Sequence, residues 1–241
     1  MLISAARDSS RPSADRTGFT LLEILVAVAI VALLVALLVP GLSGVRSAAR
    51  RTACQTLLSQ WGKAVIMYAD VNKSCLPRRG QGAQPTTIVD RPEDWFNALP
   101  PMLKAPSYHA LTQAGQSPRP GSANLFVCPQ ATAQAGEHFF AYAMNMKLST
   151  WNTEKPDRID RVAPPAVQVF LVDGPGDYCS ALPSKTPYSP TARHRNSVNI
   201  GFLDGHVHAF WGSYVGCGVG DPKRGSVRWD VPGSAWPGPI E

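Results

Sequence analysis

The pattern of hydrophobic residues changes character after residue 39. Residues 19–39 are apolar on every side and carry one charge, Glu23. A surface helix of a soluble domain would show a polar stripe, which this run lacks. As a helix the run is roughly 31 Å long, close to the thickness of the hydrocarbon core of a bilayer. The pattern therefore predicts a transmembrane helix that follows a leader, residues 1–18.

A second helical pattern covers residues 45–71. Apolar side chains recur there on one helix face, at Leu57, Trp61, Val65 and Tyr68. Pro40 and Gly41 lie between the two patterns, but both residue types are tolerated in membrane helices. We therefore expect one long helix, with a transmembrane half at 19–39 and an amphipathic continuation at 40–73.

The remaining domain, residues 74–241, has the features of short strands and long loops. Most of the chain's 22 Pro and 20 Gly are placed there. The segment 76–122 looks irregular apart from a short helical piece near 93–103. Strand-like runs follow at 125–128, 139–144, 167–172 and 197–211.

The last of these runs predicts a hairpin. Apolar residues alternate with other residues on both sides of Asp204-Gly205, a pair that accepts the positive φ angles of a type I′ turn. The expected fold is α+β: a long N-terminal helix packed on a small antiparallel sheet with long irregular loops.

The amino-acid composition excludes only a few classes of function. The chain has a net charge of +6 and a pI of about 9.2, and a basic protein can bind nucleic acid. Its Lys and Arg residues are scattered, so we expect no nucleic-acid partner. The five cysteines have no C-x-x-C spacing, which argues against a zinc ribbon or a thioredoxin-type site. Their pairing stays open: Cys54, Cys75, Cys128, Cys179 and Cys217.

Glu23 needs an explanation because a carboxylate costs about 2.5–3.5 kcal/mol at the centre of a bilayer. An acid within a membrane span is by default a functional residue with a partner. An ordinary secretory signal has a shorter apolar core and a cleavage site after it. A plain membrane anchor gives no reason for Gly18 before an aromatic residue, nor for Glu23.

Residues 16–23, Arg-Thr-Gly-Phe-Thr-Leu-Leu-Glu, resemble the processing motif of type IV prepilins and type II secretion pseudopilins. The resemblance implies that a prepilin peptidase/N-methyltransferase cuts between Gly18 and Phe19 and methylates Phe19. It also implies that Glu23 neutralises the amine of a neighbouring subunit and sets the filament register. The leader would be cytoplasmic, the helix would cross the inner membrane once, and residues 74–241 would be periplasmic or extracellular. The resemblance also implies that the α+β fold is pilin-like.

A second resemblance concerns His194, nine intervening residues, and Asp204-Gly205. This pattern resembles the C-terminal signature of prepilin-type processing-associated proteins, whose role is poorly defined. The same group has further short segments that resemble parts of this chain: Phe126-Val127-Cys128-Pro129, Tyr142-Ala143-Met144-Asn145 and Asp173-Gly174.

The domain also contains residues that could bind a metal ion. His206 and His208 share one side of a strand, and a carboxylate could complete the set. By analogy with some pseudopilins, calcium would take loop oxygens from Asp173, Asp177 and Asp204. Turn and surface roles explain these residues more simply, so no cofactor is expected.

The sequence has no local motif of a serine hydrolase, a phosphate-binding loop or a zinc protease. We therefore expect a non-enzymatic structural subunit that contacts inner-membrane lipid and polymerises with copies of itself or with other pilin-like subunits. The filament would belong to a type II secretion or type IV pilus-like system. The alternative is an exported binding or enzymatic domain that uses the helix only as an anchor.

Overall fold

The computed structural model describes residues 18–81, 84–132, 136–149, 157–162 and 164–231, with the backbone alone at residues 40 and 41. The chain divides into two compact units, Met1–Val45 and Arg46–Glu241. The leader lies outside the described residues except for Gly18.

The first unit consists of the beginning of the helix α1 (Leu21–Val71). Its segment Leu21–Val39 has a mean hydropathy of 3.1, and none of that segment is buried within the chain. The helix continues through residues 40 and 41 without interruption. The predicted single long helix is therefore confirmed.

The second unit begins with the rest of α1 and adds short helices and a sheet. The helices are α2 (Trp95–Ala98), α3 (Tyr108–Gln113) and α4 (Gly212–Val215), with 3₁₀ turns at Pro100–Leu103 and Ile159–Arg161. The strands are β1 (Phe140–Asn145), β2 (Val169–Gly176), β3 (Ser180–Ala181), β4 (Ser197–Phe202) and β5 (Val207–Trp211).

The five strands lie in the order β3-β1-β2-β4-β5. Neighbours are antiparallel except for β1 and β3, which are parallel. The chain reverses direction after β2 and then passes to the far edge of β1, so β3 runs the same way as β1. The α+β pilin-like arrangement is confirmed, with a mixed sheet in place of the expected antiparallel one.

The first core lies between α1 and the sheet. Trp61 is fully buried, and its indole nitrogen donates a hydrogen bond to the carbonyl oxygen of Leu125 at 3.2 Å. Its ring meets Trp95 edge-on at 5.1 Å and Phe126 at 5.3 Å. The predicted apolar face of the helix is confirmed as core at Trp61 and Val65, while Leu57 and Tyr68 are partly buried around it.

A second core covers the other face of the sheet. The apolar residues of β4 pack there against the C-terminal segment, in a cluster that includes Val198, Ile200, Phe202, Val215, Val227 and Trp229. The intervening residues of β4 face α1: Asn199 accepts a hydrogen bond from Gln55 at 3.1 Å. The alternation predicted for β4 therefore separates two buried faces.

Two local predictions are wrong. Residues 125–128 do not form a strand: 125 and 126 lie in a turn, because the Asn124 side chain and carbonyl accept the amides of Phe126 and Val127. The hairpin loop comprises residues 203–206, and only Gly205 has a positive φ, of 89°. A type I′ turn needs positive φ at two residues, so Asp204-Gly205 does not form one.

Candidate functional site

The N-terminal site begins with two residues that precede α1. Phe19 is 82% exposed, and nothing lies within 4 Å of where a side chain at Gly18 would begin. The peptide bond between them is thus unobstructed by the rest of the described chain.

Thr20 and Glu23 form a reciprocal cap at the start of α1. The Glu23 carboxylate oxygen Oε2 accepts the Thr20 amide at 2.8 Å and the Thr20 hydroxyl at 2.9 Å. In return, the Glu23 amide donates to the Thr20 hydroxyl at 3.2 Å. This is a capping box, which satisfies amides at the helix start that have no partner within the helix. Both hydrogen bonds that the Glu23 carboxylate accepts from Thr20 go to the same oxygen, Oε2.

In the second unit, a disulfide joins α1 to the turn before Pro129. Cys54 and Cys128 are bonded across a sequence separation of 74 residues, and both are fully buried. The Tyr142 hydroxyl donates to the carbonyl oxygen of Cys54 at 3.3 Å. The disulfide therefore fixes α1 to a loop of the domain, and β1 supports it from the sheet.

His194 lies beside this disulfide. Its Nε2 is 3.7 Å from Cys128 Sγ and 3.3 Å from Asp173 Oδ2, and the side chains of both His194 and Asp173 are fully buried. The same Asp173 oxygen accepts the amide of Asn199 at 2.7 Å. Three elements, β2, β4 and the loop before β4, thus meet at one buried imidazole.

A tight turn sets the position of His194. The backbone groups of His194 and Ser197 exchange hydrogen bonds of 3.0 and 3.1 Å. Between them, Arg195 and Asn196 have φ values of 52° and 62°. Two central residues of positive φ characterise a type I′ turn. The chain therefore forms a type I′ turn at Arg195-Asn196, before β4, and not at Asp204-Gly205, where the sequence predicted one.

The geometry does not match a catalytic Cys-His-Asp relay. In such a relay one ring nitrogen faces the nucleophile and the other faces the acid. Here Nε2 faces both Cys128 and Asp173, and the sulfur is already bonded to Cys54. The arrangement fits a buried structural or ligand-binding cluster.

Gly205 allows the β4–β5 loop to pack closely against α1. A Cβ added to Gly62 of α1 would lie 2.6 Å from the Gly205 Cα, so the helix and the β4–β5 loop touch backbone to backbone. Asp204 stabilises the same loop, since its Oδ1 accepts the amide of His206 at 3.1 Å. Gly174 has a similar role, because its Cβ would lie 2.9 Å from that of Ala143.

Asn145 ties three segments together. Its side-chain nitrogen donates to the carbonyl oxygens of Val169 and Trp229 at 3.1 and 3.0 Å. Its side-chain oxygen accepts the amide of Lys147 at 3.0 Å. This buried amide therefore joins β1 to β2 and to the C-terminal segment.

A family model described as the prokaryotic N-terminal methylation motif matches residues 14–39. That motif supports a prepilin-processed protein of the type IV pilin or pseudopilin kind. It implies processing by a prepilin peptidase and assembly with other pilin subunits, and such proteins are usually non-enzymatic. No curated protein and no solved structure matches the chain. The match ends at residue 39, so the resemblance of His194, Asp204 and Gly205 to a known signature stays a prediction.

The predicted metal ligands fall in different places. Asp173 contacts His194 in the interior, whereas Asp204 and His206 pair at 2.5 Å on an exposed loop. The His208 ring packs against Phe210 on β5 at 4.7 Å. Asp177 follows β2, and its carbonyl oxygen accepts the amide of Thr86. Metal binding by Asp177, Asp204, His206 and His208 stays a prediction.

Within the described ranges, one trio of ligand-type side chains has its ligand atoms within 4.8 Å of one another: Cys54, Cys128 and His194. Sequence reasoning did not identify the two cysteines as a pair. A signal existed for Cys54, which precedes Leu58, Trp61 and Val65 at helical spacing on the buried face. No periodic pattern indicated that Cys128 is buried beside α1, because its partner Cys54 is 74 residues away in the sequence.

Proposed function

We propose that this protein is a pseudopilin, a structural subunit that a prepilin peptidase/N-methyltransferase processes between Gly18 and Phe19. The mature subunit then assembles through α1 into a type II secretion or type IV pilus-like filament. The leader is cytoplasmic, the helix crosses the inner membrane, and the head (residues 74–241) is exported. The head has a structural role and needs no cofactor.

One observation carries this proposal: the segment Leu21–Val39 buries nothing within its own chain, yet it contains Glu23 near its start. Bare apolar surface of this length requires lipid or other helices around it. A carboxylate there requires a partner. A membrane-embedded bundle of identical or related helices supplies both.

The capping box leaves Glu23 able to bind a neighbouring subunit. Its Oε2 is occupied by Thr20, and a carboxylate has a second oxygen with its own lone pairs. The methylated amine of Phe19 from the next subunit would pair with that oxygen. The same residue thus begins its own helix and fixes the neighbour's register.

The first test is the mass of the mature N-terminus after coexpression with an active or an inactive prepilin peptidase. We expect the chain to begin at N-methylated Phe19 with the active enzyme and at residue 1 with the inactive one. An uncut chain in both cultures, or a cut at another bond, would favour an anchored exported domain instead.

The second test separates the two roles of Glu23. Glu23→Gln keeps the capping box, because Gln can replace Glu in it, but removes the charge. Glu23→Ala removes both. We expect both variants to be inserted and cleaved yet to be absent from sheared filaments. Normal incorporation of Glu23→Gln would show that charge pairing is not what Glu23 contributes to assembly.

A further inference from the structure

We propose that the thiol form of the second unit, Arg46–Glu241, binds Zn²⁺ through Cys54 Sγ, Cys128 Sγ and His194 Nε2, with a water molecule as the fourth ligand. This inference concerns the second unit alone and does not depend on filament assembly. The sulfurs and the imidazole already lie within 4.8 Å of one another and are buried. Thiolates and imidazoles are ligands that zinc takes in proteins, and three protein ligands with a water molecule are one of its known arrangements.

The distance between the imidazole and one sulfur already matches a tetrahedral zinc ion. With ordinary zinc–ligand bond lengths, tetrahedral geometry places sulfur and nitrogen about 3.6 Å apart. The observed distance from His194 Nε2 to Cys128 Sγ is 3.7 Å. The two sulfurs must separate once the disulfide is reduced. Asp173 Oδ2, 3.3 Å from Nε2, lies beside the site and does not bind the metal directly.

Unsatisfied polar atoms surround the same point. Asp173 Oδ1, His194 Nδ1 and Asn199 Nδ2 are buried and have no hydrogen-bond partner among the described residues. A buried polar group without a partner costs free energy. A cation nearby would stabilise Asp173 Oδ1, which is an acceptor without a donor, whereas the Asn199 amide is a donor that a cation does not satisfy.

A cavity of about 280 Å³ lies next to the cluster, and His194 lines it together with Arg51, Gln55, Gln130 and Arg195. The side chains of Cys54, Cys128 and His194 are themselves buried, so an ion reaches them after a local opening of the wall of this cavity. The two thiolates carry the charge that neutralises Zn²⁺, which favours binding in a buried site.

The metal and the disulfide exclude each other, because the thiolate is the form of cysteine that binds metal. A chain that leaves the ribosome has both thiols reduced. Zinc binding then releases the two thiol protons, and the imidazole proton moves to Nδ1. An oxidised chain first needs a dithiol, which gives two electrons and two protons to the Cys54–Cys128 disulfide and itself becomes a disulfide.

The test uses the full chain in detergent micelles, oxidised or reduced with a phosphine, and dialysed against Zn²⁺. Elemental analysis should find one zinc per reduced chain and none per oxidised chain. His194→Gln removes a ligand and should weaken zinc affinity more than tenfold, and Asp173→Asn removes the carboxylate beside that ligand and should weaken it about tenfold. With Co²⁺ in place of zinc, the thiolate-to-metal charge-transfer absorption should appear and should be lost in Cys54→Ser.

Cys75→Ser is the matched control, because Cys75 is a half-buried free thiol outside the cluster; it should bind zinc as the parent chain does. A zinc affinity of His194→Gln equal to that of the parent chain, measured by competition with a chelator, would overturn the proposal. So would a reduced chain that stays folded by circular dichroism and binds no zinc. If reduction lowers the melting temperature and zinc does not restore it, the proposal is also overturned.

Discussion

The two parts of α1 use the same helical backbone for opposite purposes. In Leu21–Val39 every side chain is exposed, so nothing in the chain stabilises that segment and it depends on its surroundings. Between Cys54 and Val65 one face is fully buried against a domain with two cores. Changes in the first part should alter insertion and assembly, whereas changes in the second should alter the free energy of unfolding of the head.

The largest expected effect tests the buried part. Removing the disulfide with the double variant Cys54→Ala/Cys128→Ala should lower the free energy of unfolding by about 4 kcal/mol, because the loop it closes is long. Chemical denaturation of the full chain in micelles would measure this. Membrane insertion and cleavage before Phe19 should be unchanged. A loss of insertion in the double variant would contradict the separation of the two parts of α1.

The next effect concerns the contact between Gly62 and Gly205. A Cβ at Gly62 would lie 2.6 Å from backbone, so Gly62→Ala should force the helix and the loop apart. We expect a loss of about 2 kcal/mol of stability, even though Ala is the better helix former. Gly225→Ala is the control, since nothing lies within 4 Å of its added Cβ. Equal stability of the two variants would rule out the close contact.

These two predictions mark the limit of sequence reasoning. The Trp61 face was predictable because helical periodicity is local, and the β4–β5 hairpin because alternation is local. The Cys54–Cys128 bond and the Gly62–Gly205 contact join residues distant in sequence, so no local pattern revealed them. The parallel strand β3 contains only Ser180–Ala181, which is too short to leave a periodic signal. The turn at residues 125 and 126 was missed because the hydrogen bonds of Asn124 override an apolar run.

The pH dependence of the stability of the head should come largely from Asp94. Burial raises the pKa of Asp94 from 3.8 to about 7. Neither of its oxygens has a hydrogen-bond partner among the described residues. Between these two pH values the folded state keeps the proton that the unfolded state releases, so stability should fall as pH rises. This loss should be complete above pH 7.

Asp94→Asn removes this titration and should make the slope of stability against pH shallower between pH 4 and 7. Denaturation midpoints across that range would measure it. Asp70→Asn, at an exposed position of α1, is the control for the loss of one carboxylate. An unchanged slope in Asp94→Asn would show that Asp94 is ionised in the folded protein throughout that range.

The smallest effect tests the exposed part of α1 at its cap. Thr20→Ala removes the hydroxyl that both donates to Glu23 and accepts its amide, which should destabilise the helix start by about 1 kcal/mol. The charge of Glu23 remains, so the variant should still enter filaments, with at most a modest loss, and the head should unfold as before. Quantitative blotting of sheared filaments would measure incorporation, with Thr20→Ser as the control that keeps the box. If Thr20→Ala blocked assembly as fully as Glu23→Gln, the fixed position of the carboxylate would matter as much as its charge.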